Sequence, residues 1–251
     1  MEMNNIPHAI FDFYEKMPRQ GPGSEKLTKK LLQNFRYLLP SNPVAVDMGC
    51  GSGLATLILA EFGFKVTGVD IHQPFLDKMM EKAKEKGLDN LVKYHQSSMI
   101  ETNFAKNEFD LIWSEGAIFT VGLENALKEF FPLLKQGGIL GFSDCFYFQK
   151  NTPKDVVKQW EEWDCNIKTV AESLDIAEKL GYRFIHSEKL PPQMWEESFY
   201  QPMEKLIASI KADKSSPSDL LEMAESERHN MEFFRKNNAF YGYVFHILQK
   251  P

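Results

Sequence analysis

Residues 44–59 read VAVDMGCGSGLATLIL: a short apolar run, three glycines in five positions, then a second apolar run. Glycine loses more conformational freedom on folding than any other residue, so a cluster of them between a buried strand and a helix has a reason. The backbone there must turn sharply or lie close to a ligand, and the helix that follows presents a polar N-terminus. An acid precedes the cluster, giving Asp47-x-Gly49-x-Gly51-x-Gly53. The next apolar run, KVTGVDI over 65–71, ends on a second acid, Asp70. A carboxylate at the tip of a second strand can accept hydrogen bonds from both hydroxyls of a ribose.

The same alternation continues for a hundred residues. A helix is expected over 25–39, capped by Ser24 and patterned by Leu27, Leu31, Leu32, Phe35, Leu38 and Leu39. Strands are expected at 44–48, 65–71, 91–96, 109–114 and 138–148, with helices at 54–62, 74–87 and 123–138 between them. Strands alternating with helices predict a mainly parallel sheet covered on both faces. Before this core, Ile6, Ile10, Phe11, Phe13 and Tyr14 form an apolar patch on a short helix, followed by the rigid turn MPRQGPGS. After it come helices, a strand at 182–190, two charged helices near 200–213 and 216–236, and a closing aromatic strand at 239–249.

With 251 residues, 43% hydrophobic and 25% charged, the chain suits one domain with a modest insertion. A net charge of −6 without a dense Lys/Arg run argues against nucleic acid as partner. No apolar run approaches the length of a membrane span. The N-terminus lacks a basic and then apolar signal-peptide pattern, and three cysteines without CxxC spacing read as reduced thiols, so a cytoplasmic location is expected. The six histidines show no ligand spacing, and no metal is expected.

VAVDMGCGSGLATLIL with VTGVD, followed in order by FDLIWSEGAIF and LLKQGGIL, resembles the class I S-adenosylmethionine-dependent methyltransferases over about residues 40–148. RQGPGS, WSEGAIF and YGYVF further resemble a subgroup of small-molecule methyltransferases. The resemblance implies a Rossmann-like α/β fold of seven strands, mostly parallel, with the last strand antiparallel beside the fifth and a small helical cap. It implies S-adenosylmethionine as cofactor. Asp47, Gly49 and Gly51 would line its methionine end, Asp70 would hold the ribose and Ile71 would pack on the adenine. Family members often carry an acid after the third strand for the adenine amino group; that place falls on Ser98 here, beside Met99. Cys50, Gly53 and Ser114 complete the expected cofactor set. The organisation expected is one domain over 1–251, with an N-terminal lid at 1–24, a cofactor-binding core at 25–150 and a helical cap at 191–238.

Ligands of open α/β sheets bind beyond the carboxyl ends of the strands. The fourth strand is expected to end at SEGA and the fifth near Asp144, which puts Glu115 at the reacting rim as base or as partner of a cationic amine. SEGA is not the (Asp/Asn)-Pro-Pro-Tyr stretch of methyltransferases that act on DNA bases. N-terminal segments in this family fold over the cofactor, so Arg19 would pair with its carboxylate and Tyr14 would close over the sulfonium. Trp195 and Tyr200 in MWEESFYQP are candidates for an aromatic lid. The expected reaction is methyl transfer to a small molecule by in-line displacement. Two alternatives stand beside it: an NAD(P)-dependent oxidoreductase, which usually spaces its third glycine one residue later, and a non-catalytic S-adenosylmethionine-binding protein. Nitrogen, oxygen, sulfur and carbon acceptors all fit the sequence, and oligomeric state is open.

Overall fold

The computed structural model describes residues 8–163 and 165–251; Ile6 of the N-terminal patch and the first seven residues of the expected lid lie outside them. The sheet begins from the apolar run before the glycines. β1 (Val44–Met48) pairs in parallel with β2 (Lys65–Asp70) on one side and with β4 (Phe109–Glu115) on the other. β3 (Val92–Gln96) pairs with β2, and with β5 (Leu134–Tyr147), β7 (Arg183–Lys189) and β8 (Tyr241–Gln249) the full order is β3-β2-β1-β4-β5-β8-β7. The chain moves outward in one direction from β1 to β3 and in the other from β4. The carboxyl ends of β1 and β4 therefore flank the crevice where such sheets take their ligands.

Helices follow from the sequence pattern. α2 (Glu25–Phe35) buries Leu27, Leu31 and Leu32, and the Ser24 hydroxyl accepts the Leu27 N–H at 3.3 Å as its N-cap. It stops four residues before the expected end, and Arg36–Leu38 form a single 3₁₀ turn. The Arg36 guanidinium donates to the carbonyls of Leu39, Pro40 and Ser41, which turns the chain into the sheet. α3 (Leu54–Glu61) is buried at every position from Ala55 to Ala60, as its unbroken apolar run requires. α4 (Gln73–Glu85) buries Phe75, Leu76, Met79 and Ala83.

Two boundaries differ from expectation. α5 (Leu123–Leu133) carries Pro132 in its last turn and ends there, not at residue 138. β5 (Leu134–Tyr147) starts at once, with a register shift against β4 between Phe109 and Leu111, and Gly137 takes φ +78° within it. The Gly-Gly pair is thus an irregularity inside a strand. The strand also runs three residues past Asp144, so that acid is not at a strand end as expected; it is interior and 4% exposed.

β8 (Tyr241–Gln249) lies antiparallel to β5 from Ile139 opposite Gln249 to Tyr147 opposite Tyr241, and β7 (Arg183–Lys189) flanks it antiparallel. The last strand therefore sits beside the fifth, as expected. Among the described residues the sheet has eight strands, one more than expected; the additional one is β6 (Lys168–Thr169), two residues paired with β5, too short to leave a pattern in the sequence. α6 (Lys154–Glu162) and α7 (Val170–Lys179) precede β7, the latter with a Thr169–Glu172 capping box.

The segment after β7 covers one edge of the crevice. It comprises α8 (Pro192–Trp195), one π-helical turn at Glu196–Tyr200, α9 (Gln201–Ala212) and α10 (Ser218–Asn237). α1 (His8–Tyr14) packs against α10, which joins the two ends of the chain over the carboxyl rim of the sheet.

Candidate active site

The glycine loop has the backbone its composition predicted. Gly49, Gly51 and Gly53 take φ of +73°, +51° and +83°, a region that disfavours any side chain. A Cβ on Gly49 would lie 2.4 Å from the Ala117 Cβ, so the loop after β1 and the loop after β4 touch at that point. The N–H groups of Gly49 and Cys50 donate to the Val69 carbonyl at 2.8 and 2.9 Å, which pins the loop to β2.

Asp70 closes that loop. Its Oδ2 accepts the Gly51 N–H and its Oδ1 the His72 N–H, both at 2.9 Å. Each oxygen keeps a second lone pair, so two further donors such as a pair of ribose hydroxyls fit the same carboxylate. Burial raises its pKa, and the backbone N–H groups oppose the rise. Asp47 points elsewhere: it is 1% exposed and accepts the Thr56 hydroxyl at 2.6 Å, a tie between β1 and α3. Burial pushes its carboxyl up to about 7, and the Thr56 bond works against that. Burial likewise pushes the Cys50 thiol well above its ordinary value, so it stays protonated.

The remaining expected cofactor residues surround this loop. Ile71 is half-buried, and its carbonyl accepts from the Gln96 side chain at 3.1 Å. Ser98 is half-buried, with its carbonyl taking the Glu101 N–H at 3.0 Å. Met99 is buried with its methyl group against Gly49. Ser114 is fully buried, and its hydroxyl donates to the Met48 carbonyl at 2.7 Å, joining β4 to β1.

The segment before α2 lies across the loop. Gln20 Oε1 accepts the Ser52 N–H at 2.9 Å, while its Nε2 donates to the Tyr14 carbonyl at 3.2 Å. Phe11 stacks on the His72 ring at 4.1 Å, and His72 Nε2 lies 2.6 Å from Glu15 Oε1. Lys78 donates to the Glu15 carbonyl at 2.8 Å. The tip of β2 and the start of α4 thus hold α1 in place.

Glu115, the last residue of β4, is gripped from three sides. Oε1 accepts the Thr28 hydroxyl at 2.5 Å and the Trp113 indole N–H at 3.0 Å, and Oε2 faces Arg19 Nη2 at 3.4 Å. Arg19 packs on Gly23, where a Cβ would fall 2.1 Å from the guanidinium. Its Nε–H is buried and has no partner among the described residues, which leaves a donor open to an anionic ligand group. Burial lowers the Arg19 pKa and Glu115 opposes this.

Tyr14 donates to Glu227 Oε1 at 3.1 Å and lies parallel to Phe199 with centroids 6.4 Å apart. Burial first, then Glu227, holds its phenol well above the usual value, so the hydroxyl remains a donor. Trp195 stacks on Phe234 at 4.1 Å and meets Tyr243 edge-on at 4.7 Å; the Tyr243 ring in turn fills the space a Cβ on Gly116 would need. Asp144 accepts the Cys145 N–H at 2.7 Å, and burial raises its pKa to about 7.

Sequence reasoning missed Gln20, Thr28 and Glu227. Only Glu227 had a signal: Leu220, Ala224, Glu227, Met231 and Phe234 share the buried face of α10, an acid at the centre of an apolar stripe with helical spacing. Among the described residues, no three His, Cys, Asp or Glu side chains gather where a metal ion would be held.

Residues 46–142 match a family model described as a methyltransferase domain. The chain is 26% identical over 235 residues to phosphoethanolamine N-methyltransferase 2 of Caenorhabditis elegans, covering 87% of this chain and 53% of the relative. It thus spans about half the length of that relative. Among solved structures, phosphoethanolamine N-methyltransferase 2 of Haemonchus contortus, bound to S-adenosyl-L-methionine, superposes with a TM-score of 0.71 at 20% identity, covering 100% of this chain and 58% of that one. The [4+2]-cyclase SpnF superposes at 0.73 and 21% identity, over 90% of this chain and 81% of that one. These likenesses concern the fold, and one fold serves many reactions. No helix of the described residues is long and apolar enough to cross a membrane.

Proposed function

We propose that the chain transfers a methyl group from S-adenosylmethionine to a small-molecule acceptor. The observation that carries this reading is the Asp70 carboxylate: it fixes the left-handed glycine loop through the Gly51 N–H and keeps a lone pair on each oxygen for a ribose. The domain match and the relatives support it. The cofactor, when bound, supplies a methyl group already activated on a sulfonium. The protein's work is then to bind, orient and exclude water.

In this reading Gly49, Cys50, Gly51 and Gly53 form the floor against the cofactor. Ile71, Ser98 and Met99 flank its adenine, and Arg19 offers its free Nε–H to the carboxylate of the methionine moiety. Asp47 and Ser114 act from behind, through Thr56 and Met48, as supports of the loop and the β1–β4 junction. Glu115 holds Arg19, Thr28 and Trp113 in place, a positioning role instead of the base suggested by its place in the sequence. Tyr14 closes the site from above. Residues 8–24, the described part of the lid expected at 1–24, form the lid, 25–150 the cofactor-binding core and 191–238 the cap of a single domain. The net charge of −6 and the SEGA tip support a small molecule over nucleic acid as acceptor. The absence of any disulfide among Cys50, Cys145 and Cys165 is in keeping with a cytoplasmic location.

Calorimetric titration with S-adenosylmethionine, S-adenosylhomocysteine and NADH tests this. Micromolar binding of the two sulfur nucleosides without NADH is expected. NADH binding alone would favour an oxidoreductase. Nucleoside binding without product against a broad acceptor panel would favour a non-catalytic binder.

A further inference from the structure

Glu227 sits in the middle of the buried face of α10 and is 8% exposed. Tyr14 and the Asn230 side chain hydrogen-bond to it, yet no Lys, Arg or His pairs with it among the described residues. A buried acid without a cation is unfavourable unless something compensates it. Arg19, the cation that faces the neighbouring Tyr243, is paired with Glu115.

The surroundings of Glu227 are aromatic. Tyr14 and Phe199 lie parallel, and Tyr200 packs on Phe199 at 5.7 Å and on Trp195 at 5.8 Å. Tyr200 and Tyr243 are 3% and 6% exposed, and neither hydroxyl has a hydrogen-bond partner among the described residues. The buried side-chain atoms left without a partner among the described residues belong to Arg19, Trp160 and Trp195, so these two hydroxyls are not sealed off and can meet a ligand beside an acid that has no cation. The cluster reaches the glycine loop directly: Tyr243 lies against Gly116 at the tip of β4, and the next residue, Ala117, lies against Gly49.

Carboxylate, ring faces and phenolic oxygens together suit one kind of group, a nitrogen cation. We propose that Glu227 and the rings of Tyr14, Tyr200 and Tyr243 bind an ammonium group, and that the methyl acceptor is a small amine. This rests on the methyltransferase reading for its consequence, since the site lies beside the glycine loop proposed as the cofactor floor. It does not rest on that reading for its chemistry.

Choline and its neutral carbon isostere 3,3-dimethylbutan-1-ol have the same shape and differ in charge. Each is titrated into the full chain saturated with S-adenosylhomocysteine. Choline should bind at least tenfold tighter. Glu227→Gln should erase the difference while leaving S-adenosylhomocysteine affinity within about twofold, and Tyr200→Leu, which spares the carboxylate, should weaken choline and not the alcohol. Equal affinities, tighter binding of the alcohol, or no binding of choline to the nucleoside complex would overturn the amine site and leave the methyltransferase reading standing. Failure of S-adenosylhomocysteine to bind would overturn the methyltransferase reading, and the acceptor assignment with it.

Discussion

Asp70 illustrates how much one carboxylate can carry. It accepts two backbone N–H groups that shape the loops on either side of β2, and it retains capacity for a ligand. Asp70→Ala should therefore weaken S-adenosylmethionine binding by roughly 1.5–3 kcal/mol per charge-assisted bond lost. Calorimetry reads this directly, and unchanged affinity would remove Asp70 from the site. Glu115 teaches the opposite lesson. Its place at the end of β4 is legible in the sequence, but its partners Thr28 and Arg19 lie 87 and 96 residues away. No local pattern reveals such contacts. Glu115→Gln keeps an oxygen for Thr28 and Trp113 but can turn an amide toward Arg19. A loss of about 1–3 kcal/mol in urea unfolding is expected, with cofactor affinity reduced less than in Asp70→Ala.

Among the elements, those with a strong pattern were readable: α2 by its leucines and Ser24 cap, β1 and β2 by short, mostly apolar runs that each carry one acid, β8 by aromatic and branched residues. What failed was local competition. Pro132 and Leu134 convert an expected helix end into strand, and β6 is too short to pattern. α1 is legible as a helix, whereas its docking is not, because it depends on His72 and Glu227 from distant parts of the chain. That docking is testable. Phe11→Ala removes the ring stacked on His72 and should speed amide hydrogen exchange across 8–20 while β1 and β4 keep their protection. Uniform acceleration throughout the sheet would show instead that α1 belongs to the global folding unit.

For the whole molecule, buried acids set the pH response. Asp47 and Asp144 both have pKa values raised by burial to about 7, so each binds its proton more tightly folded than unfolded. Their contribution to stability is full below the unfolded carboxylate range and is lost as pH rises from about 4 through about 7. Buried His246 works in the other direction: its pKa is lowered to about 4, so it favours the folded state less as pH falls from about 6.5. Asp144→Asn isolates one acid, since Asn retains an acceptor for the Cys145 N–H. Thermal or urea unfolding should find variant and parent alike near pH 4, with the variant gaining up to about 4 kcal/mol by pH 8. A constant difference across that range would show that Asp144 does not titrate in the folded protein.

β8 is last among the strands in chain order yet lies inside the sheet, with β5 on one side and β7 on the other. Its nine residues are all buried. On the ribosome, every other strand emerges before the one that separates β5 from β7. Until residue 249 has cleared the exit tunnel, both strands present open edges, and such edges pair readily with other chains. Nascent chains stalled shortly before β8 would thus be natural clients for a holding chaperone, while release of a few more residues would let the sheet close.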